Sequence, residues 1–398
     1  MGALPINPQL ITPLYYWVTF SVCVLLYMTY AGSNNCHKLL GQKSAVPALL
    51  LTCMWIILIG LRPVWVGFGD TIVYAHEYSN TLPIYGAIDF HSEWLFSLFR
   101  VWCRSMGFTV NVFFLIIEIG YLGFMYWAYR KALWENVWFA MLFALSAYSC
   151  FVYNVNGVRN GLACSMILLA VVFTAKDRNY VAAGILCFLA IGIHKSTLLP
   201  TAALIAATFF IKKIKTALLF WLASFILSLW AGGTISSIFL GLGFDDRAEA
   251  YLSGDNFKYG NFSSEGFRWD FLLYSTMPVL LIWYIQRKIE QRHTEIGGLS
   301  QEEEESGVYG AGIMADAVSM RVFNTIAIVY LLSNAFWIMV IRASFSNRFA
   351  YLSWFIYPLV LAYGVIRLHI WKDQDRKAAI ILLGHAGFTI LMYVLGKV

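Results

Sequence analysis

Charged residues are scarce in this 398-residue sequence. Asp, Glu, Lys and Arg together make up only 13% of it, about half of their share in a typical soluble domain. Apolar residues make up 60%, and 15 Trp, 23 Tyr and 30 Phe add to the aromatic content. Because so few polar side chains could not cover a water-soluble particle, a lipid bilayer must solvate much of the chain.

Several enzyme motifs are also missing. The seven cysteines form no CxxC pair and mostly lie within apolar runs, which is typical of packing residues. The sequence contains no GxxxxGK(S/T) phosphate loop, no HExxH zinc motif and no GxSxG elbow. If the protein is an enzyme, the energy for its reaction must come from the substrate. The N-terminus has no charged region followed by a cleavage site, so we expect no removable signal peptide.

Long apolar runs recur along the whole chain. A spanning helix needs about 20 largely apolar residues, and roughly twelve runs approach that length. Open strands are excluded because unpaired backbone groups are costly in hydrocarbon. The sequence therefore predicts an all-α, polytopic transmembrane helical bundle that forms a single domain over residues 1–398. The predicted spans are 11–31, 46–61, 108–129, 134–150, 160–175, 180–194, 198–211, 216–241, 270–286, 322–341, 351–368 and 378–396.

The positions of Lys and Arg predict the orientation of the bundle. Short loops that stay in the cytoplasm retain positive charge. With the N-terminus outside, most basic residues fall on the cytoplasmic side, which explains the net charge of +6 without a nucleic-acid partner. The loops predicted to be cytoplasmic are 32–45, 130–133, 176–179, 212–215, 287–321 and 367–377.

Three segments outside the predicted spans are long. They are a first outer loop at 62–107, a second outer loop at 242–269, and a Glu-rich, solvated cytoplasmic linker at 287–320. Within the first outer loop, residues 94–107 are apolar but carry Arg100 and Arg104 one helical turn apart. We interpret them as an amphipathic helix at the outer interface, with its aromatic side chains in the membrane and its arginines toward water. A short span is the alternative.

Basic residues on the outer side depart from the charge pattern and need another explanation. Arg159 lies in the run NGVRNGLA (156–163), where an outer turn meets a span. Gly157 and Gly161 are four residues apart, which lets a neighbouring helix approach closely. A guanidinium held there could bind a phosphate through two parallel hydrogen bonds. An arginine that extends its head group toward the membrane surface is the alternative.

Other polar residues of the outer segments are candidates for chemistry. A neutral imidazole such as that of His194 can accept a proton from a sugar hydroxyl, and the adjacent Lys195 could bind phosphate. Asp70 and Glu93 are candidate bases, and solvated loop charge is the alternative for each. A divalent metal site is a further alternative, formed by carboxylates and histidines of the first outer segment, although their spacing matches no specific ligand motif. These residues are Asp70, Glu77, Asp89, Glu93, His76 and His91.

Three further charged residues lie beside or inside predicted spans. Arg342 and Arg348 flank a short outer turn, where a pair of cations would suit a diphosphate. Glu118 lies within a predicted span. It should face protein or a cavity, because exposing a carboxylate to lipid is expensive.

Taken in order along the chain, these residues resemble a known family. They look like the EpsG-like group of Wzy-type polysaccharide polymerases, which act in the synthesis of exopolysaccharide or of the O-antigen of lipopolysaccharide. The resemblance covers roughly residues 10–365. The residues that carry it are Arg62, Gly67, Asp70, Tyr74, Glu93, the run VRNGLA at 158–163, the run HKS at 194–196, and Arg348, Phe349, Ala350 and Tyr351.

The resemblance implies a fold similar to the C-type membrane glycosyltransferases. Such a protein would transfer a growing glycan from undecaprenyl diphosphate to a lipid-linked repeat unit, at the periplasmic or outer face of the bacterial cytoplasmic membrane. Arginines would stabilise the charge that grows on the leaving diphosphate, a base would activate the acceptor hydroxyl, and no metal or other cofactor would be needed. The implied site residues are Arg159, Arg348, Lys195 and Arg62 for the diphosphate, His194, Asp70 or Glu93 as the base, and Tyr74, Ser196 and Arg342 in support.

The implied partners are the lipid-linked oligosaccharide and membrane lipids, with a flippase and a chain-length regulator as further candidates. Two other functions fit a similar sequence. A flippase or transporter of the same glycan would also need many spans and phosphate-binding cations, but its charges should line a cavity along the depth of the membrane. A transferase similar to the O-antigen ligases would work at the same face with a different acceptor.

Overall fold

The structure is a computed structural model that describes residues 2–31, 45–240, 267–295, 316–342, 346–371 and 373–396. Every regular element within these ranges is helical, as the sequence predicted, and no strand occurs in them. Most of the predicted second outer loop and residues 296–315 of the predicted linker lie outside the described residues. The described ends of that linker are helical, because one helix continues to Glu295 and the next begins at Ala317.

The helices are named here in chain order. The first half of the chain contains α1 (Pro8–Ala31), α2 (Ala45–Gly60), α3 (Thr71–Asn80), α4 (Trp94–Ser105), α5 (Val110–Ala132), α6 (Val137–Leu145), α7 (Tyr148–Val155) and α8 (Val158–Val172). The second half contains α9 (Tyr180–Ile193), α10 (Leu198–Ile205), α11 (Ile214–Leu240), α12 (Trp269–Glu295), α13 (Ala317–Met339), α14 (Ser346–Trp354), α15 (Tyr357–Arg367) and α16 (Gln374–Val394). π-Helical turns extend α8 over Phe173–Asp177 and α10 over Ala206–Phe210, and 3₁₀ turns lie at Val66–Phe68, Trp134–Asn136 and Lys195–Thr197.

Six helices in the described part of the chain are long and apolar enough to cross a bilayer. The pair α6 and α7, bent by 70°, makes a seventh if it forms one span. Shorter apolar helices are α2, α9, α10 with its π-helical turn, and the first part of α11. These helices fit a multi-pass membrane protein, whereas the predicted number of roughly twelve spans is not confirmed. The six long helices are Pro8–Ala31, Val110–Ala132, Val158–Asp177, Ala317–Met339, Ser346–Arg367 and Gln374–Val394.

α8 forms the centre of the bundle. Every residue of α8 from Gly161 to Val172 is buried, and the only hydroxyl or thiol groups in this stretch are those of Cys164 and Ser165. Such an all-round apolar helix is typical of a segment that other helices enclose. By contrast, α1, α9, α11 and α16 each expose large apolar side chains, which suits helices that face lipid.

Basic residues gather at the C-terminal ends of α5 and α8. Lys131 Nζ lies 2.5 Å from Asp177 Oδ2, and Lys176 Nζ donates to the carbonyl of Lys131 at 2.6 Å. Arg321 donates to two carbonyls at the end of α8, both at 3.0 Å. These residues come from, or border, loops that the sequence predicted to lie on one side. The 20 residues of Val158–Asp177 extend about 30 Å, so this end and the N-terminus of α8 are one hydrocarbon thickness apart.

The amphipathic helix predicted in the first outer loop is present as α4. Its 12 residues extend about 18 Å, which is too short to cross a bilayer. Its arginines differ from the prediction, because they contact α3 and do not point freely into water. Arg100 Nη1 lies 2.6 Å from Glu77 Oε2, and the Arg104 guanidinium lies 5.3 Å from the ring centroid of Tyr78. Charge pairing therefore joins α4 to α3.

Arg62 connects the helices that position α3. It has no exposed surface, and its Nη1 lies 3.7 Å from Oε1 of Glu118 in α5, so this glutamate does face protein as predicted. The same guanidinium donates to the carbonyl of Ile59 in α2 at 2.8 Å and to Oγ1 of Thr71 in α3 at 3.0 Å. Its carbon Cζ lies 4.7 Å from the ring centroid of Phe114. One buried cation thus binds three helices.

Two further hydrogen bonds extend this connection. Oγ1 of Thr71 donates to the carbonyl of Val155, at the end of α7, at 2.5 Å. Nδ2 of Asn111 donates to the carbonyl of Arg62 at 2.8 Å. The first residue of α3 is therefore fixed to α7 as well as to Arg62, which sets the position of α3 against the bundle.

We expect Arg62→Met to lower the free energy of unfolding by about 3–5 kcal/mol, because Glu118 would remain as a buried charge without its cation. Adding Glu118→Gln should recover part of this loss. Unfolding of the purified protein in detergent by increasing amounts of a denaturing surfactant, followed by tryptophan fluorescence, measures both variants.

The matched control is Lys131→Met, which breaks a pair whose side chains are 25% and 33% exposed. We expect a loss of at most about 1 kcal/mol there. Equal losses of unfolding free energy for Arg62→Met and Lys131→Met would show that the buried pair stabilises the protein no more than the partly exposed pair does.

Candidate functional site

Four helices bring predicted site residues together around the N-terminus of α8. Arg159 is the second residue of α8, Glu93 directly precedes α4, and His194 directly follows α9. Tyr74 lies in α3, the helix that Arg62 positions. We call these four residues, Arg159, Glu93, His194 and Tyr74, the Arg159 cluster. They are far apart in the sequence and adjacent in the fold.

Glu93 links the two basic members of the cluster. Its Oε2 forms an ion pair with Nη1 of Arg159, and its Oε1 lies 2.5 Å from Nδ1 of His194. Nε of Arg159 donates to the Tyr74 hydroxyl at 3.3 Å, and the guanidinium lies 5.1 Å from the centroid of the Tyr74 ring. Exposed fractions of 15% for Arg159, 20% for Glu93 and 24% for His194 leave each side chain partly open to solvent.

The contact with Glu93 assigns different roles to the two nitrogens of His194. An ionised carboxylate can only accept a hydrogen bond, so the neutral imidazole carries its hydrogen on Nδ1. Nε2 then keeps its lone pair, and within the described part of the chain no group donates to it. A histidine held in this way can accept a proton at Nε2, and the carboxylate stabilises the imidazolium that forms.

Tyr74 adds a hydroxyl to the cluster. Burial raises its pKa above the ordinary value of a tyrosine, and the neighbouring Arg159 cation opposes that shift only in part. The phenol is therefore protonated at neutral pH. While its oxygen accepts from Arg159, its hydrogen can be donated to a negatively charged ligand.

A second arginine and acid lie one helical turn away. Nη2 of Arg348 in α14 is 3.5 Å from Oδ2 of Asp70, and both side chains are about 40% exposed. The backbone nitrogen of Tyr74 donates to the carbonyl of Asp70 at 3.0 Å, so this pair borders the Arg159 cluster. Two arginines, each opposite a carboxylate, thus lie at the same end of the bundle.

The loop before α3 is fixed to the turn before α8. Gly69 has φ +59°, and a Cβ there would lie 2.6 Å from Oδ1 of Asn156. The same oxygen accepts from the backbone nitrogen of Asp70 at 2.9 Å. Glycine is required because this conformation is unfavourable for other residues and because the asparagine leaves no room. The contact holds Asp70 close to the start of α8.

Three further residues predicted for the site, Lys195, Ser196 and Arg342, lie outside the Arg159 cluster. Lys195 and Ser196 follow His194 in a 3₁₀ turn and are half-buried and exposed, respectively. Arg342, at the end of α13, has its Cζ 5.2 Å from the ring centroid of Phe267. It forms no ion pair with the Arg159 cluster in the described structure.

The structure corrects the prediction for Arg62. A residue that binds a diphosphate must present its guanidinium to an opening, and the Arg62 side chain is completely enclosed. Its donors are directed at Ile59, Thr71 and Glu118. Arg62 therefore positions α3 and has no surface for a ligand.

The packing of α4 on α9 was not predicted from the sequence. A Cβ on Gly192 would lie 2.8 Å from the Trp94 ring and 3.0 Å from Cβ of Leu95, so this glycine allows the two helices to touch. Trp94 follows Glu93, and Gly192 is two residues before His194. In the sequence IGIHKS, the glycine two residues before His194 indicates a small residue beside the site. Nothing in the sequence indicates that Trp94 packs against it.

No group of three or more His, Cys, Asp or Glu side chains in the described residues is arranged to hold a metal ion. The chemistry that these residues can support is ionic binding by arginine, hydrogen bonding by tyrosine and proton transfer by histidine. Metal-independent action stays an expectation from the resemblance.

Comparison with known proteins identifies one related family. The sequence model described as the EpsG family matches residues 46–396, which is most of the chain and includes every residue of the Arg159 cluster. No curated protein and no solved structure matches the chain.

Gly192→Ala should destabilise the protein by about 1–3 kcal/mol, because the added methyl group overlaps the Trp94 ring and forces α4 away from α9. Gly184→Ala in the same helix is the control. A Cβ there meets nothing within 4 Å, so the higher helix propensity of alanine should raise stability by up to about 1 kcal/mol. Thermal unfolding in detergent compares the two, and a loss of equal size in both would refute the close contact at Gly192.

Proposed function

The chain belongs to the EpsG family, a family of polysaccharide polymerases, and from this premise we propose its reaction. The protein transfers a growing glycan from undecaprenyl diphosphate to the hydroxyl group of a second lipid-linked repeat unit. The reaction takes place at the outer face of the bacterial cytoplasmic membrane, in a bundle similar to the C-type glycosyltransferases. The observation that carries the proposal is that Glu93 bridges an arginine and a histidine at one end of the helices.

Arg159 is suited to bind the leaving diphosphate. Its Nη1 is paired with Glu93 and its Nε with Tyr74, and within the described residues Nη2 has no acceptor. A guanidinium with open donors can bind phosphate oxygens while it keeps its ion pair. The backbone N–H groups at the start of α8 add a partial positive charge beside it. Arg348, one turn from the cluster, supplies a second cation for a group that carries several negative charges.

His194 is suited to act as the base. The acceptor hydroxyl gives its proton to Nε2 while its oxygen forms a bond to the anomeric carbon of the growing glycan. The bond from that carbon to the diphosphate oxygen breaks, and undecaprenyl diphosphate leaves with both bonding electrons. Arg159 and Arg348 stabilise the charge on the leaving oxygen, and Glu93 stabilises the imidazolium.

The alternative bases are less well placed. Both oxygens of Glu93 are engaged, one by Arg159 and one by His194, so an acceptor hydroxyl would have to displace one of these contacts to reach the carboxylate. The carboxylate of Asp70 faces Arg348 in a similar way. We therefore assign Glu93 to the positioning of His194 and Arg159, and Asp70 to the positioning of Arg348.

The location of the charges supports an enzyme over a flippase of the same glycan. A flippase should line a path with polar groups along the depth of the membrane. In this chain the central helix α8 is apolar from Gly161 to Val172, and the paired arginines lie at its N-terminal end. Its other end carries the basic residues of the predicted cytoplasmic loops, and this charge distribution supports an outer position for the Arg159 cluster by the positive-inside rule. Cooperation with a flippase and a chain-length regulator remains part of the proposal.

Arg159→Lys should reduce polymer formation by about 100-fold or more, because a lysine keeps the charge but cannot form two parallel bonds to a phosphate. The assay incubates purified protein in vesicles with lipid-linked repeat units and separates the products by length. Lys215→Gln, which breaks an exposed pair with Glu290, is the control and should leave the product ladder unchanged. A normal ladder from Arg159→Lys, with the protein present in equal amounts, would remove Arg159 from the site.

His194→Gln and Glu93→Gln separate the base from its positioning residue. The first should reduce kcat by about 10²–10⁴-fold, because no proton acceptor remains. The second should retain part of the activity, because the amide oxygen of glutamine can still accept from Nδ1 of His194. The same polymer assay at saturating substrate measures kcat. If Glu93→Gln is the more damaging change and His194→Gln is active, Glu93 is the base.

A further inference from the structure

The segment between α3 and α4 is exposed and apolar. Every residue from 82 to 90 is exposed, and Asp89 is the only charged residue among them. A loop in water usually carries polar turn residues. A contiguous apolar surface of this kind marks a site of contact with another molecule or with lipid. The large apolar side chains are Leu82, Ile84, Tyr85, Ile88 and Phe90, with exposed fractions of 69, 70, 55, 48 and 64%.

Aromatic contacts join this loop to α9, a helix with exposed apolar side chains. The ring centroids of Phe90 and Trp94 are 5.4 Å apart, and those of Trp94 and Phe188 in α9 are 5.6 Å apart. Phe188 is exposed together with Ile185 and Val181 on α9, at spacings of three and four residues that place them on one side of the helix. The loop surface is therefore continuous with an exposed apolar face of α9, which suits contact with the bilayer. We call residues 82–90, Trp94 and Phe188 the apolar strip.

The apolar strip ends at the Arg159 cluster. Trp94 is adjacent to Glu93 in the chain, and it packs on Gly192, two residues before His194. Glu93 and His194 contact each other at 2.5 Å. Only one or two residues along the chain therefore separate the apolar strip from the paired charges of Glu93 and His194.

We infer that the apolar strip holds the isoprenoid chain of the lipid-linked substrate while the Arg159 cluster holds its diphosphate. The inference rests on the proposed function and adds the place and the residues of the lipid subsite. A lipid diphosphate changes from anionic to hydrocarbon within one bond, and the strip and the cluster meet over a similarly short distance. The continuity of the strip with α9 lets the chain enter sideways from the bilayer without leaving hydrocarbon.

Photocrosslinking tests the position of the chain without any turnover. The photoreactive residue p-benzoylphenylalanine replaces Phe90 in the full-length protein in vesicles, and radiolabelled undecaprenyl diphosphate without sugar is the probe. We expect labelling that an excess of unlabelled undecaprenyl diphosphate suppresses and that the same excess of phosphatidylglycerol does not. The control places the photoreactive residue at Leu219, which is 68% exposed on α11 and should show no competition. No labelling at position 90, or equal suppression by both lipids, overturns the inference; in the second case ordinary bilayer lipid covers the strip.

Steady-state kinetics with repeat units linked to a long undecaprenyl chain or to a short farnesyl chain provide a second test. Ile84→Ser and Phe90→Ser should raise KM for the undecaprenyl-linked repeat unit by about tenfold at unchanged kcat. KM for the farnesyl-linked unit, whose shorter chain can bury less apolar surface on the strip, should rise by a much smaller factor. Equal effects on both substrates, or none, overturn the inference. If wild type forms no polymer, the proposed function fails instead, and the labelling experiment still decides whether the strip binds an isoprenoid.

Discussion

The buried ion pair between Arg62 and Glu118 is the interaction on which the position of the site depends. Neither charge can reach water, so each requires the other and the hydrogen-bonding groups around it. Those groups belong to α2, α3 and α5, and Thr71 in turn donates a hydrogen bond to the end of α7. Tyr74 in α3 contacts Arg159, and Asp70, directly before α3, contacts Arg348. The place of the Arg159 cluster is thus set by an electrostatic requirement inside the bundle as well as by the fit of apolar surfaces.

The charge of an arginine and its predicted position in the membrane do not distinguish a ligand-binding residue from one that stabilises the fold. Arg159 and Arg62 are both cations at predicted outer ends of spans, where they depart from the positive-inside pattern. That pattern shows that a charge needs a partner but does not identify the partner. Arg159 lies beside the partly exposed Glu93, and Arg62 lies beside the enclosed Glu118. The difference arises from the packing of α2 against α5, which no local spacing reveals.

The fold class was predictable, and the lengths of its helices were not. Apolar content and the cost of unpaired backbone in lipid require helices, and every described element is helical. The apolar run at 134–150 gave one predicted span, yet it contains a bend of 70° between α6 and α7. At the bend the Ser146 hydroxyl donates to the carbonyl of Leu142 at 2.5 Å. Serine in this position competes for a backbone acceptor and favours a bend, an effect that hydropathy does not measure.

The electrostatic balance around the Arg159 cluster bears on how the proposed diphosphate could bind there. Arg159 and Arg348 each face a carboxylate, so these four charges balance and the carboxylates hold both arginines in place. Such pairing lowers the attraction for an anion, but it removes the cost of ordering two long side chains when the anion arrives. A freely soluble anion would gain little from this arrangement. The lipid-anchored anion of the proposed reaction would gain more, because a bilayer would already confine it near the Arg159 cluster, and orientation would then matter more than attraction.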